Sequence, residues 1–253
     1  MGNRVGPGVR ARTQVRLLIN RCGFELTREQ FKHRFVHMLD QHGIDTVLDV
    51  GANTGQFGQL LRRSAFTGRI HSIEPLQSAF DELRPRAAAD PRWSVQRAAV
   101  SDRAGTLTMN VSGNSVSSSV LPMLDRHTAA APQAGYVATE EVVATTVDDI
   151  VTEHGLRTMT TLLKVDVQGY EQAVLDGARK TLDGFAGVRT ELSLVALYEG
   201  QPLLADVVEY LGGHGFELWH VEPGFVEPGT RRLLQLDGVF FRGSVRADVD
   251  GGG

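Results

Sequence analysis

Three acidic residues, Asp49, Glu74 and Asp166, stand at or beside the ends of short aliphatic runs: Thr46-Val47-Leu48-Asp49-Val50, Arg69-Ile70-His71-Ser72-Ile73-Glu74 and Thr161-Leu162-Leu163-Lys164-Val165-Asp166. Such runs read as strands, and open α/β sheets bind ligands outside the carboxyl ends of their strands. Acids in these places would converge on one crevice, where carboxylates accept hydrogen bonds or remove protons. Asp49 leads into Gly51-Ala52-Asn53-Thr54-Gly55. Gly51 and Gly55 permit positive φ and close backbone approach, and a helix starting after Gly55 offers unpaired N–H groups to an anionic ligand group. Glu74 follows this turn by roughly 20 residues, the separation at which nucleotide sites place a carboxylate on ribose hydroxyls. The dinucleotide fingerprint fails, because its three glycine positions fall on Gly51, Asn53 and Gln56, and the Gly-Lys-Ser/Thr phosphate loop is absent.

Further candidates lie on other segments. Glu191 interrupts the apolar run Val188 to Leu194. A carboxylate there needs a partner or a raised pKa, so it reads as a base or as half of a buried ion pair. His220 has an intrinsic pKa suited to proton transfer; a packed or rim histidine explains it too. Ala99, near the end of the expected strand Trp93 to Val100, would leave room for a flat ring, and packing alone is the alternative. His33 and His37 are four apart, but no acid completes a His-Glu-x-x-His set, so they read as exposed.

The elements that must position these residues follow from periodicity and turn signals. A helix is expected over Thr27 to Gln41, then a strand, a helix from Gln56 to Arg63, a strand from Arg69, and a helix from Ser78 to Ala89 disturbed at Pro85. Thr106 to Val111 and Val137 to Thr146 alternate like strands, and Thr146 opens a short helix. Between them, about 112–136 reads as a long Ser-, Ala-, Pro- and Gly-rich loop. Such a length suits a lid or binding loop, with Ser115 and Ser117 to Ser119 supplying hydroxyls, or a surface loop. Asp166 ends a strand buried on both faces, and Gln168-Gly169-Tyr170-Glu171 opens a helix to Leu182. After Val188 to Leu194 come a helix from Leu203 to Leu211 and two strands joined as a hairpin, Phe216 to Val221 and Leu233 to Phe241.

Composition narrows the function. Formal net charge is −4, from 26 Lys+Arg against 30 Asp+Glu, which lacks the basic footprint of a general nucleic-acid binder. The single cysteine, Cys22, permits no intrachain disulfide and fits a reducing, cytoplasmic setting. No apolar stretch approaches the roughly 20 residues of a membrane span. Arg4, Arg10, Arg12, Arg16 and Arg21 precede any acid, which leaves open a solvated helix or a weak contact with an acidic membrane surface. The expected organisation is an N-terminal helical segment over 1–44, a catalytic domain over 45–242 and a disordered tail over 243–253. The number of subunits stays open, a homo-oligomer included.

The turn Asp49-Val50-Gly51-Ala52-Asn53-Thr54-Gly55, the pair Glu74-Pro75 and the block Lys164-Val165-Asp166-Val167-Gln168-Gly169-Tyr170-Glu171 resemble the FkbM-like S-adenosylmethionine-dependent methyltransferases. Leu175-Asp176-Gly177-Ala178, Glu191-Leu192-Ser193, Tyr198-Glu199-Gly200-Gln201 and Asp237-Gly238 extend the likeness over about residues 45–242. Gln168 departs from it, since the family often has an acid there. The resemblance implies a doubly wound, mostly parallel seven-stranded sheet, Rossmann-like, with a C-terminal antiparallel hairpin. It also implies S-adenosyl-L-methionine as cofactor and O-methylation of a small-molecule or glycan acceptor. Asp49, Gly51, Ala52, Asn53, Gly55, Glu74 and Ala99 would then bind the cofactor. Asp166, Glu191 and His220 are the candidate bases, Asp166 alternatively holding the cofactor's amino group. Asp166 and Glu191 could share a divalent ion, although two acids make an incomplete site. A cofactor-binding module without turnover is the rival reading, as is a non-sugar acceptor. Asp166-Val167-Gln168-Gly169 also lacks the Pro-Pro-aromatic turn that grips a planar amino nitrogen.

Overall fold

β1 (Thr46–Val50) and β7 (Thr161–Val165) are buried at every position, as their continuous apolar runs require of strands covered on both faces. They pair in parallel, with Asp49 opposite Lys164. A computed structural model describes residues 30–243. The Arg-rich stretch 1–21, the first residues of the helix expected over 27–41, the tail 244–253 and the side chain of His33 lie outside the described residues.

Parallel strands β2 (Arg69–Ile73) and β3 (Trp93–Gln96) extend the sheet beyond β1, and β8 (Gly187–Ser193) extends it beyond β7. The last two strands, β9 (Phe216–Pro223) and β10 (Gln235–Arg242), form an antiparallel hairpin, with β10 inserted against β8. The sheet order is β3-β2-β1-β7-β8-β10-β9. On one face, α1 (Gln30–Gln41), α2 (Gln56–Arg63) and α3 (Gln77–Ala88) bury Phe35, Leu39, Phe57, Leu61 and Leu83 against Val47, Ile70 and Leu162. On the other, α5 (Val147–His154), α6 (Glu171–Asp176) and α7 (Leu204–Gly213) bury Ile150, Val174, Leu175 and Leu211 against Leu48, Leu163 and Val188. Burying apolar surface on both faces is what fixes a doubly wound sheet in place.

Three local expectations change. The strand expected from Trp93 to Val100 is two. Arg97 bonds Glu140 at 2.7 Å, and β4 (Ala99–Val100) then joins β6 (Tyr136–Thr145) in a separate three-stranded sheet with β5 (Gly105–Ser112). The long segment 112–136 is not structureless: it holds α4 (Asp125–Ala130), a 3-10 turn (Pro132–Ala134) and a bridge between Asn110 and Ser119. The helix expected from Gln168 is short, because Gln168 and Gly169 take φ values of 56° and 96°. It stops at Gly177, where a Cβ would lie 2.1 Å from the Ser101 carbonyl oxygen.

Candidate active site

A cavity of about 460 Å³ opens at the carboxyl ends of β1, β2 and β7. Its floor is the turn after β1. Gly51 adopts φ 75°, and a Cβ on it would lie 1.8 Å from the Asp166 carbonyl oxygen, so the turn can press against the end of β7 only with glycine there. Asn53, itself at φ 47°, directs its backbone N–H to Glu74 Oε2 at 2.7 Å. The Leu76 N–H bonds Glu74 Oε1 at 3.0 Å. Both oxygens are therefore fixed by backbone donors. Burial nevertheless raises the Glu74 carboxyl from its usual 4.5 to about 7, against the pull of those two N–H groups and of Lys164. Beyond Glu74, Ala98, Ala99 and Val100 line an apolar wall of small side chains, and Ser115, Val116, Ser118 and Val120 close the cavity from the segment after β5.

Strand parity separates the three strand-end acids. Glu74 and Asp166 each stand one residue past their strands, and both line the cavity. Asp49 lies one residue inside β1 and is not among the lining residues; it is completely buried beneath the floor. There Asp49 pairs with Lys164 Nζ at 3.0 Å and accepts a bond from Ser72 Oγ, which in turn accepts one from the Trp93 indole. Lys164 also donates to the Gly51 carbonyl oxygen at 2.9 Å and lies 3.6 Å from Asp166. Burial works against its charge, but Asp49 and Asp166 outweigh it and raise its pKa. Asp49 thus holds Lys164, and Lys164 holds the turn.

At the other end, Arg189 on β8 and Asp237 on β10 line the cavity and pair at 2.9 Å, with the guanidinium 4.9 Å from the Phe57 ring centre. Glu191 faces Asp237 across the β8–β10 ladder. Its carboxylate accepts bonds from Gln235 Nε2 at 2.6 Å and Gln168 Nε2 at 3.3 Å. Burial, then the neighbouring Asp166, Glu171 and Asp237 carboxylates, push its pKa well above the ordinary range.

Of the residues expected from sequence, Gly51, Ala52, Asn53, Glu74, Ala99 and Asp166 share this cavity. Gly55 does not line it: at φ 89° it turns the chain into α2 and packs against Leu83 and Trp93. Glu191 stands one hydrogen bond behind the wall, through Gln168. His220 stands apart from the cavity. It lies on the outer strand β9, where burial and the charge of Arg34 lower its pKa, and it is not among the lining residues. Among the described residues no group of three or more His, Cys, Asp or Glu could hold a metal ion, and no helix is long and apolar enough to cross a membrane. Sequence reasoning missed Lys164, Gln168, Arg189 and Asp237 as site residues. A signal existed for the two cations, since each interrupts a run of apolar and buried residues.

A glycine turn after β1, an acid after β2 and a sheet closed by an antiparallel hairpin define a Rossmann-like methyltransferase fold. The family described as "Methyltransferase FkbM domain" matches residues 49–218, and the chain belongs to that family. It is an S-adenosylmethionine-dependent O-methyltransferase. It is 26% identical over 201 residues to "2-O-methyltransferase NoeI" of Sinorhizobium fredii, across 77% of this chain and 82% of that one. It is 29% identical over 204 residues to "31-O-demethyl-FK506 methyltransferase FkbM" of Streptomyces tacrolimicus, across 70% of this chain and 76% of that one. Among solved structures, the methyltransferase FkbM of Methylobacillus flagellatus superposes with TM-score 0.45 at 15% identity, covering 78% of this chain and 44% of that one.

Proposed function

We propose that the chain transfers the methyl group of S-adenosylmethionine to a hydroxyl of a sugar or glycosylated acceptor. The observation that carries the proposal is the polarity of one cavity: a pre-fixed carboxylate and small apolar wall at one end, acids and amides at the other. The first end fits the cofactor's adenosine. Glu74, its oxygens held by two backbone N–H groups, keeps lone pairs for ribose hydroxyls, and Ala99 leaves space for a flat base. Gly51, Ala52 and Asn53 would bind through the turn, with Asp49 and Gly55 supporting it from behind. Bound there, the cofactor supplies a sulfonium methyl that needs only an in-line nucleophile.

The chain's own residues must deliver that nucleophile. Asp166 lines the cavity with 38% of its side chain exposed and accepts the hydroxyl proton at its carboxylate. Correct placement is worth about 7–11 kcal/mol, against roughly 10²–10⁴-fold for a positioned base. Placement therefore dominates, and several hydrogen-bonding groups at one end suit an acceptor with several hydroxyls. The names of the two curated relatives support an oxygen nucleophile.

The test is transfer of isotope-labelled methyl from S-adenosylmethionine to a panel of glycosides and of non-sugar alcohols. Glycosides should be methylated, and Asp166→Asn should lower kcat by about 10²–10⁴-fold with cofactor affinity retained. Transfer to non-sugar alcohols alone, or full activity in Asp166→Asn, would overturn the reading.

A further inference from the structure

Among the described residues, Gln168 hydrogen-bonds both candidate acids. Its Nε2 donates to Asp166 Oδ1 at 2.8 Å and to Glu191 Oε2 at 3.3 Å. A primary amide nitrogen carries two hydrogens, so each acid receives one. The opposite end of the amide is held as well. Gln168 Oε1 accepts from the Tyr198 hydroxyl at 3.0 Å, a hydrogen for which the Ser117 carbonyl oxygen at 3.1 Å competes. Tyr198 is completely buried, and a Cβ on Gly169 would meet its ring at 2.9 Å, so that ring is closely confined. The Gln168 backbone, at φ 56°, is secured by Ser119 Oγ, which donates to its carbonyl oxygen at 2.7 Å.

We propose that Gln168 is the positioning residue of the acceptor end. Its amide directs one hydrogen to each of Asp166 and Glu191 and holds the two carboxyl groups as one hydrogen-bonded unit at the methyl-accepting face. The inference rests on the methyltransferase reading above and adds to it the group that fixes the base. Rotating the amide would turn its oxygen toward two carboxyl groups and its N–H pair toward Tyr198, so the observed orientation is the one the charges select.

The surroundings explain why an amide serves better than an acid at this position. Asp166 and Glu191 are faced by Lys164 from β7, Glu171 from α6, Asp237 from β10 and Tyr198 from the loop after β8. Arg189 on β8 is already paired with Asp237 and Glu222. A third carboxylate between the acids would repel both. A neutral donor instead favours their ionised forms, and it ties them to the segment that closes the cavity through Ser117 and Ser119.

Gln168→Met keeps the length without the hydrogen bonds, and Gln168→Glu keeps the shape while adding charge. In Met, kcat should fall about ten- to hundredfold, while calorimetry shows unchanged S-adenosylmethionine affinity. The acid limb of the kcat–pH profile should rise by about one unit in Met and further in Glu. Carboxyl carbon NMR titration of the wild type and both variants, assigned with Asp166→Asn and Glu191→Gln, should show the same upward displacement without any acceptor. An unmoved acid limb or an unmoved titration overturns the proposal, as does loss of cofactor affinity in parallel with kcat. If the wild type methylates no acceptor, the functional reading fails and the titration alone decides the place of Gln168.

Discussion

Replacing Glu74 with Gln should remove a pH dependence that the native fold carries. Burial raises this carboxyl from 4.5 to about 7, and at about 1.4 kcal/mol per unit that displacement amounts to roughly 3 kcal/mol. The folded chain holds the proton more tightly than the unfolded chain does. Stability is therefore full below pH 4.5, falls by that amount between pH 4.5 and about 7, and is level above. Glu171, raised to about 7 by burial, adds to the same slope, so the quantity to measure is the difference between wild type and Glu74→Gln. Urea unfolding across this range should show a steeper decline in the wild type by about 3 kcal/mol. The same carboxylate should link protons to the cofactor, because ribose hydroxyls donate to the ionised form. Calorimetry near pH 6 in buffers of different ionisation enthalpy should register about one more proton released on S-adenosylmethionine binding by the wild type than by the variant. The variant should also bind about ten- to hundredfold more weakly. Equal stability slopes in the two proteins would refute the burial argument, and equal proton release would refute the placement of ribose.

Lys164→Met should lower stability by about 3–5 kcal/mol and Tm by about 6–20 °C, because it strands the fully buried Asp49. Asp49→Asn in the same chain should recover part of that loss in a double-mutant cycle, and a single-variant loss below about 1 kcal/mol would rule out a structural pair. Since the Lys164 pKa is raised above 10.5, its contribution is complete below pH 10.5 and is lost as pH rises through the folded value. Gly51→Ala and Gly43→Ala, compared by thermal unfolding and cofactor titration, separate contact from conformation. Both sites have positive φ, but nothing lies within 4 Å of a Cβ at Gly43. Gly43→Ala should cost about 1–2 kcal/mol and leave binding intact, whereas Gly51→Ala should cost more and lower cofactor affinity at least about tenfold. Identical behaviour of the two variants would show that the close approach to Asp166 does not matter.

The strands from Thr46 and Arg69 and the helix over Gln56–Arg63 were legible because each is bounded by local signals: a glycine turn, a strand-end acid, a change of period. Glu74 and Asp166 were legible as cavity residues for the same reason. What local signals leave open is parity. Asp49 looks like another strand-end acid, yet one further residue of strand, Val50, turns it toward the α1–α2 layer and Lys164. The break after Gln96 was hidden because Ala99 and Val100 leave to pair with Ala144 and Thr145 of β6, far along the chain. Asp237 and Arg189 meet only through the β8–β10 pairing, which periodicity does not specify.

The distribution of cations bears on which acid would serve as the base in the proposed reaction. Lys164 is engaged with Asp49 at 3.0 Å and with the Gly51 carbonyl oxygen, and Arg189 with Asp237 and Glu222. Asp49 is sealed beneath the cavity floor with its countercharge, away from any acceptor. Asp237 carries its own guanidinium. Glu191 depends on the amides of Gln168 and Gln235, which orient it without supplying a countercharge. Asp166 has Lys164 only at 3.6 Å and meets the cavity directly. Two adjacent acids with little countercharge cannot both remain ionised at low cost. Burial and the neighbouring carboxylates raise the Glu191 pKa, so Glu191 is the acid of the pair that keeps its proton, and under the proposed function Asp166 is the one that faces the acceptor hydroxyl.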